Sequence, residues 1–189
     1  MKKVFLLLFV SVLTLNSCDE KTPQEQKVET KVNKKVELEG KIKALEETIF
    51  NKDNSTKNIK DEKEKATKLL SYYTDFYNLY SEDPKGGDYL FKAGNIALGL
   101  GKTIPAIQAF RNAHDAFPGY KKRVEAVYMV AFIYDNNLHK KDKAREFYNF
   151  IIENYPEHQL AKDAIARLNT LEMTDEELIK LFEKKNATK

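Results

Sequence analysis

The chain has 189 residues, of which 42% are hydrophobic and 32% are charged, and its formal net charge is +3. A chain of this length and composition can bury one core of ordinary size, so one folded domain is expected. Lysines alternate with Glu and Asp as on solvated helix faces, which argues against a nucleic-acid-binding surface.

The first segment, residues 1–17, has the three parts of a secretory signal peptide. Lys2 and Lys3 provide a basic start, an apolar stretch runs from Val4 to Leu15, and polar residues precede a cut site. The apolar stretch is shorter than the roughly 20 residues that a membrane-spanning helix needs. We therefore predict a cleaved signal peptide.

The sequence Leu15-Asn16-Ser17-Cys18 ends this segment, and Cys18 is the one cysteine of the chain. It resembles the bacterial lipobox, whose cysteine receives a diacylglycerol and becomes the mature N-terminus, although Asn16 replaces the small residue usual there. The alternative is a free thiol, since a lone cysteine has no disulfide partner within the chain. The resemblance predicts lipidation of Cys18, and two acyl chains suffice for stable membrane attachment.

Residues 18–36 follow the predicted lipidation site. Between Asp19 and Lys35 the apolar exceptions are Val28 and Val32. Such a segment cannot assemble a core, so we predict a disordered tether. It would let the folded part move about 20 to 25 Å from the membrane.

Residues 37–172 have apolar side chains with a period of 3.6, which predicts an all-α domain. Two stretches repeat the same order of small residue, small residue, large residue and proline. The members are Gly94, Ala106, Phe110 and Pro118 in the first stretch and Ala131, Ala144, Tyr148 and Pro156 in the second. Small residues on facing helices permit close approach, and each hairpin exposes a further apolar face that the next must cover. We therefore expect stacked helical hairpins.

Both stretches resemble the tetratricopeptide repeat, in which a small residue lets helix A approach helix B and a proline ends the unit. The resemblance implies about three hairpins in a right-handed superhelix. The first hairpin is degenerate, with Ile42 and Leu45 on one helix and Tyr72 and Phe76 on the other.

Residues 173–189 are predicted to form a C-terminal capping helix and tail. The sequence Thr174-Asp175-Glu176-Glu177 has the capping-box pattern that opens a helix. A Lys-rich, amphipathic end suits the polar outer face that a terminal repeat requires.

No catalytic or metal-binding pattern stands out along the chain. The histidines, His114, His139 and His158, are far apart and lack acids or cysteines at ligand spacing, and His114 is expected to have a surface or packing role. Gly101-Lys102-Thr103 imitates the end of a phosphate-binding loop but lacks its first glycine. We expect no enzyme activity, no metal and no cofactor besides the lipid. A catalytic set gathered from distant residues stays open.

The tetratricopeptide resemblance places a partner-binding groove on helix A of each repeat. The implied lining is Phe91, Asn95, Tyr128, Phe132 and Asp135. Asn95 matches an asparagine that some members use to hold a peptide backbone, whereas the Lys and Arg of the carboxylate-clamp members are missing. We expect an extended segment or helix with apolar anchors as partner. The alternative is that neighbouring helices cover these aromatic residues.

Residues from about 38 to 172 resemble tetratricopeptide envelope lipoproteins, a class that includes the lipoprotein of the β-barrel assembly machinery and the Tol-Pal-associated periplasmic repeat protein. The resemblance implies a lipid-anchored, non-enzymatic scaffold that binds envelope proteins or peptides, in outer-membrane assembly or Tol-Pal-type maintenance. The outer membrane, facing the periplasm, is favoured, with the inner membrane and the cell surface as alternatives. Other functions stay open: a subunit of an envelope enzyme complex, or a structural tether that oligomerises through residues 38–50.

Overall fold

The computed structural model describes residues 23–50 and 59–187, and all regular secondary structure in these ranges is α-helical. The helices are α1 (Pro23–Phe50), α2 (Ile59–Leu79), α3 (Lys85–Gly99), α4 (Thr103–Asp115), α5 (Arg123–Asn136), α6 (Lys141–Asn154), α7 (Gln159–Thr170) and α8 (Asp175–Ala187). This confirms the predicted all-α class. The predicted signal peptide, Cys18 and the start of the tether lie outside the described residues.

The chain divides into two compact units at Lys34 and Lys35. The structure differs from the predicted disordered tether over residues 23–36, which belong to α1. Lys, Glu and Gln are good helix formers, so a segment too polar to build a core can still be helical. In the first unit Val28 and Val32 are largely exposed, as expected of a helix segment that buries little.

In the second unit, neighbouring helices pack in chain order from α2 to α7, and α5 also contacts α7. The core contains large side chains that are fully buried, among them Tyr73, Phe76, Phe110, Ile133 and Tyr148. Burying a large apolar side chain contributes about 1.5–3 kcal/mol relative to leaving it exposed. Packing of this kind holds together helices that are too short to be stable alone.

The contact between α3 and α4 depends on Gly94. A Cβ atom at this position would lie 2.7 Å from the ring of Phe110, which is itself fully buried. In the next hairpin Ala131 and Ala144 are fully buried in one cluster with Tyr148. The small and large residues singled out in the sequence therefore pack together in the core.

The second unit begins with the C-terminal part of α1, which is held by apolar side chains and by polar bridges. Ile42 is buried in the core that α2 and α3 share. Lys35 forms an ion pair with Asp83, in the turn before α3. The Nζ of Lys85 donates to Oε1 of Glu39 at 2.9 Å. The helix expected to pair with α2 is thus also tied to α3.

Helix α8 begins with the predicted capping box. The backbone N–H of Thr174 donates to Oε2 of Glu177 at 2.8 Å, and the N–H of Glu177 donates to Oγ1 of Thr174 at 3.3 Å. Two backbone donors at the helix start are thereby satisfied reciprocally. The capping-box prediction is confirmed.

Gly94→Val is expected to lower the free energy of unfolding by about 1–3 kcal/mol, because the added carbons overlap the buried ring of Phe110. Gly99→Ala is the matched control, since a Cβ at Gly99 has nothing within 4 Å. Because Gly99 is the last residue of α3, this change should alter the free energy of unfolding by no more than about 0.5 kcal/mol. Urea unfolding followed by far-UV circular dichroism measures both. A Gly94→Val protein as stable as wild type would contradict the close packing.

The carboxyl group of Asp83 provides a test of how α1 is attached. Burial opposes its ionisation, but the ion pair with Lys35 and the backbone N–H of Lys85 outweigh this and hold the pKa of Asp83 below its ordinary 3.8. A lowered folded-state pKa contributes stability that is present above the ordinary value and is lost as the pH falls through the folded value.

Asp83→Asn removes the charge but keeps an oxygen that can accept from Lys85. We expect this variant to be less stable than wild type at neutral pH, with a difference that narrows as the pH falls below 3.8. Urea unfolding across this pH range measures the difference. Asp142→Asn is the control for an exposed ion pair, because the Asp142 side chain is 100% exposed and pairs with Arg145 at the surface, where such a pair contributes little. A difference that stays constant with pH would mean that the Asp83 charge is not involved.

Candidate functional site

The five residues of the predicted groove lie on two helices. Phe91 and Asn95 are on α3, and Tyr128, Phe132 and Asp135 are on α5. Spacings of three and four residues place each set along one face of its helix. Within the described residues, no hydrogen bond or ring contact joins the α3 set to the α5 set.

On α3, Phe91 is half-buried and Asn95 is exposed. The Phe91 ring lies edge-on to Phe110, with 5.4 Å between centroids, and 6.2 Å from the ring of Tyr120. The Nζ of Lys122 is 5.3 Å from the Phe91 centroid. Neighbouring residues thus cover much of Phe91, whereas Asn95 keeps an accessible side chain whose Nδ2 donates to the Phe91 carbonyl at 3.1 Å.

On α5, the three groove residues are half-buried, and two of them contact Tyr148 of α6. The Tyr128 ring is edge-on to Tyr148 at 5.7 Å, and the Tyr148 hydroxyl donates to Oδ2 of Asp135 at 3.4 Å. Burial, reinforced by the Asp135 charge, raises the pKa of the Tyr148 phenol. Tyr148 therefore stays neutral and keeps its proton for this hydrogen bond at physiological pH.

Arg167 of α7 belongs to this site, and the sequence analysis did not identify it. Its guanidinium carbon is 5.6 Å from the Phe132 centroid, and it interacts with the Tyr128 hydroxyl and with Asp135. In the sequence, Arg167 follows the small residue Ala164 by three positions, and this spacing places both residues on the inner face of α7. Arg167 ties α7 to α5 and covers part of the predicted groove.

A cavity of about 680 Å³ lies between α1 and α3, and we call it the α1–α3 pocket. Its lining residues are Glu46, Glu47, Phe50, Lys92, Asn95 and Ile96. This volume is within the range of pockets that hold ligands or partner side chains. Asn95 is the residue that the pocket shares with the predicted groove.

Polar contacts fix one side of the α1–α3 pocket. Oε1 of Glu46 accepts from the Tyr73 hydroxyl at 2.6 Å and from Nζ of Lys92 at 2.9 Å. Lys92 also pairs with Oδ2 of Asp88 at 2.9 Å. Burial opposes the Lys92 charge, but Asp88 and Glu46 outweigh it and raise the pKa of Lys92. Lys92 is therefore a permanent cation that two carboxylates already neutralise.

A second polar cluster surrounds His114, which is 7% exposed. Nδ1 is 2.6 Å from Oδ1 of Asp115, and Nε2 is 2.8 Å from the Tyr155 hydroxyl and 3.3 Å from Nη2 of Arg123. In the tautomer with its proton on Nδ1, the ring donates to Asp115, and Nε2 is left to accept from the Tyr155 hydroxyl and from Arg123.

The His114 cluster joins the end of α4, the start of α5 and the end of α6. The adjacent cavity, lined in part by Phe147 and Phe150, has a volume of about 150 Å³. Such a space holds a few waters and is small for an organic substrate. The geometry therefore gives His114 a packing role, as the sequence analysis expected.

In the part of the chain that the structure describes, no group of three or more His, Cys, Asp or Glu residues is placed to hold a metal ion. None of the described helices is both long enough and apolar enough to span a bilayer. No protein-family model matches the chain, and no curated protein matches its sequence. Function must accordingly be argued from the surfaces described above.

The contact between Arg167 and Phe132 can be measured by a double-mutant cycle. Arg167→Ala and Phe132→Ala should be coupled by about 1 kcal/mol, because a partly desolvated cation over a ring is worth this much. The control is Lys162→Ala, an exposed residue on the same helix, which should be additive with Phe132→Ala. Urea unfolding gives all the free energies. Additivity of Arg167→Ala with Phe132→Ala would show that the contact contributes nothing.

Proposed function

We propose that this protein is a lipid-anchored, non-enzymatic scaffold that binds other proteins at the bacterial cell envelope. The observation that carries the proposal is the set of short helices α3–α7, which pack in sequence through small residues such as Gly94. A stack of this kind leaves long faces of α3 and α5 partly open. Repeated helical hairpins typically use such faces to bind extended partners.

The proposal includes a tetratricopeptide-like arrangement with α3 and α4 as one repeat and α5 and α6 as the next. Phe110 packs on Gly94 and Tyr148 packs with Ala131, which matches the pairing of large and small residues in that repeat. Helix α5 also contacts α7, as the A helices of successive units do in such a stack, while α4 rather than α3 is its main neighbour on the preceding hairpin. The right-handed superhelix is part of the same proposal.

Membrane attachment is proposed from the sequence of the first 18 residues. The basic start, the short apolar stretch and the lipobox-like Leu15–Cys18 support a diacylglycerol thioether on Cys18. Two acyl chains make such attachment stable, whereas one chain would leave it reversible. We propose that the folded part faces the periplasm from the outer membrane, where it can reach envelope proteins.

A partner can contact only those residues of the proposed groove that are exposed. Asn95 is exposed, and Phe132 and Asp135 are half-exposed beside Arg167. An asparagine amide can pair with a peptide backbone, and an aromatic ring can anchor an apolar side chain. Phe91 and Tyr128 form part of the supporting wall, so a binding test that truncates them would also disturb the core.

The anchor and the scaffold role are tested together by capture from membranes. Tagged full-length protein and a Cys18→Ser variant are crosslinked in cells, purified and analysed by mass spectrometry. We expect wild type to capture a reproducible set of envelope proteins, and Cys18→Ser to capture fewer because it has no lipid. A folded, lipidated protein that captures nothing would favour an enzymatic or small-molecule role instead.

The groove is tested in the same capture experiment by Asn95→Arg. The matched control is Asn154→Arg on α6, because both asparagines are exposed and donate to the carbonyl four residues earlier, at 3.1 and 2.8 Å. We expect Asn95→Arg to reduce capture several-fold and Asn154→Arg to leave it unchanged, with equal thermal stability. Equal capture by both variants would contradict a groove at Asn95.

A further inference from the structure

The α1–α3 pocket combines an apolar interior with a charged edge. Ile96 of α3 is partly buried, and Phe50 at the end of α1 is 62% exposed beside the cavity. An aromatic ring beside a cavity can supply large apolar contact area to a partner. The pocket is therefore suited to an apolar side chain.

Among the described residues that line or border the pocket, acidic side chains outnumber basic ones. The carboxylates of Glu46 and Asp88 both lie 2.9 Å from Nζ of Lys92, so this cation has two acidic neighbours. Glu47 adds a third carboxylate, and within the described residues it pairs with Lys43 at 3.9 Å, in a contact where both side chains are largely exposed. An exposed pair at this distance contributes little, so Glu47 can exchange Lys43 for another cation.

We propose that the α1–α3 pocket docks a protein segment that carries an apolar side chain next to a lysine or arginine. The apolar side chain lies between Phe50 and Ile96, and the cation pairs with Glu47. Asn95 at the pocket wall is placed to meet the backbone of the segment. The inference rests on the proposed scaffold role and adds the chemistry of the partner.

Charge complementarity favours this occupant over anionic ones. A phosphate or a carboxylate would approach Glu46 and Glu47 and would meet a Lys92 that is already neutralised. Like charges brought together cost free energy, and opposite charges both attract and orient the partner. Association with a basic segment should therefore weaken as the salt concentration rises.

The test uses the purified full-length protein and three fluorescent synthetic peptides, with binding followed by anisotropy. The first peptide places alternating leucine and lysine in a Gly-Ser background. The second has glutamate in place of lysine, and the third has serine in place of leucine. We expect the first to bind about tenfold more tightly than the others, and to lose affinity with added salt.

The double variant Glu47→Gln with Phe50→Ser tests whether the first peptide binds in the α1–α3 pocket. Both side chains are mainly exposed, so the fold should be retained. The matched control is Glu153→Gln with Ile165→Ser, which changes one exposed acid and one exposed isoleucine on α6 and α7. We expect about a tenfold loss of affinity for the first peptide in the pocket variant and no loss in the control.

Several results would overturn the inference: no binding of the first peptide, equal binding of the glutamate peptide, or unchanged affinity in the pocket variant. Sedimentation provides a further test. If the wild-type protein is a dimer and the pocket variant is a monomer, the occupant of the pocket is a second copy of this chain. Membrane capture without peptide binding would overturn only the pocket inference. Peptide binding without membrane capture would instead overturn the scaffold proposal.

Discussion

The close approach of α3 and α4 at Gly94 is the constraint on which the rest of the second unit depends. Helices α3 to α7 have 12 to 15 residues each, a length at which an isolated helix is marginal in water. They persist because each packs on its neighbours, and the Phe110 ring fits only where α3 has no side chain. The next hairpin has the same kind of packing, in which the small residues Ala131 and Ala144 lie in one cluster with the large ring of Tyr148.

Helix α1 is attached in a different way, and this difference creates the pocket. Its contacts with α2 and α3 run through long side chains, as between Glu46, Tyr73 and Lys92. Long polar side chains hold two backbones further apart than glycine and alanine do. The volume left between α1 and α3 is then available to a partner.

The two candidate surfaces differ in how much the protein already uses them. On α5, Arg167 lies over Phe132, and Tyr148 is hydrogen-bonded to Asp135, so a partner there must add to or displace internal contacts. On α3, Asn95 is exposed and borders a cavity. A partner can therefore gain most on the α3 side, where fewer internal interactions compete with it.

The sequence by itself determined features that depend on residues close together in the chain. Helical periodicity, the small residues Gly94 and Ala131 and the capping box at Thr174 are local patterns, so they could be read without a structure. Composition predicted local structure less well. Residues 23–36 are too polar to build a core, yet they form part of α1. Only the tertiary structure placed Arg167 on Phe132 and Lys92 on Glu46, because such contacts depend on how distant helices are rotated and spaced. The α1–α3 pocket arises from that spacing, and no local pattern encodes it.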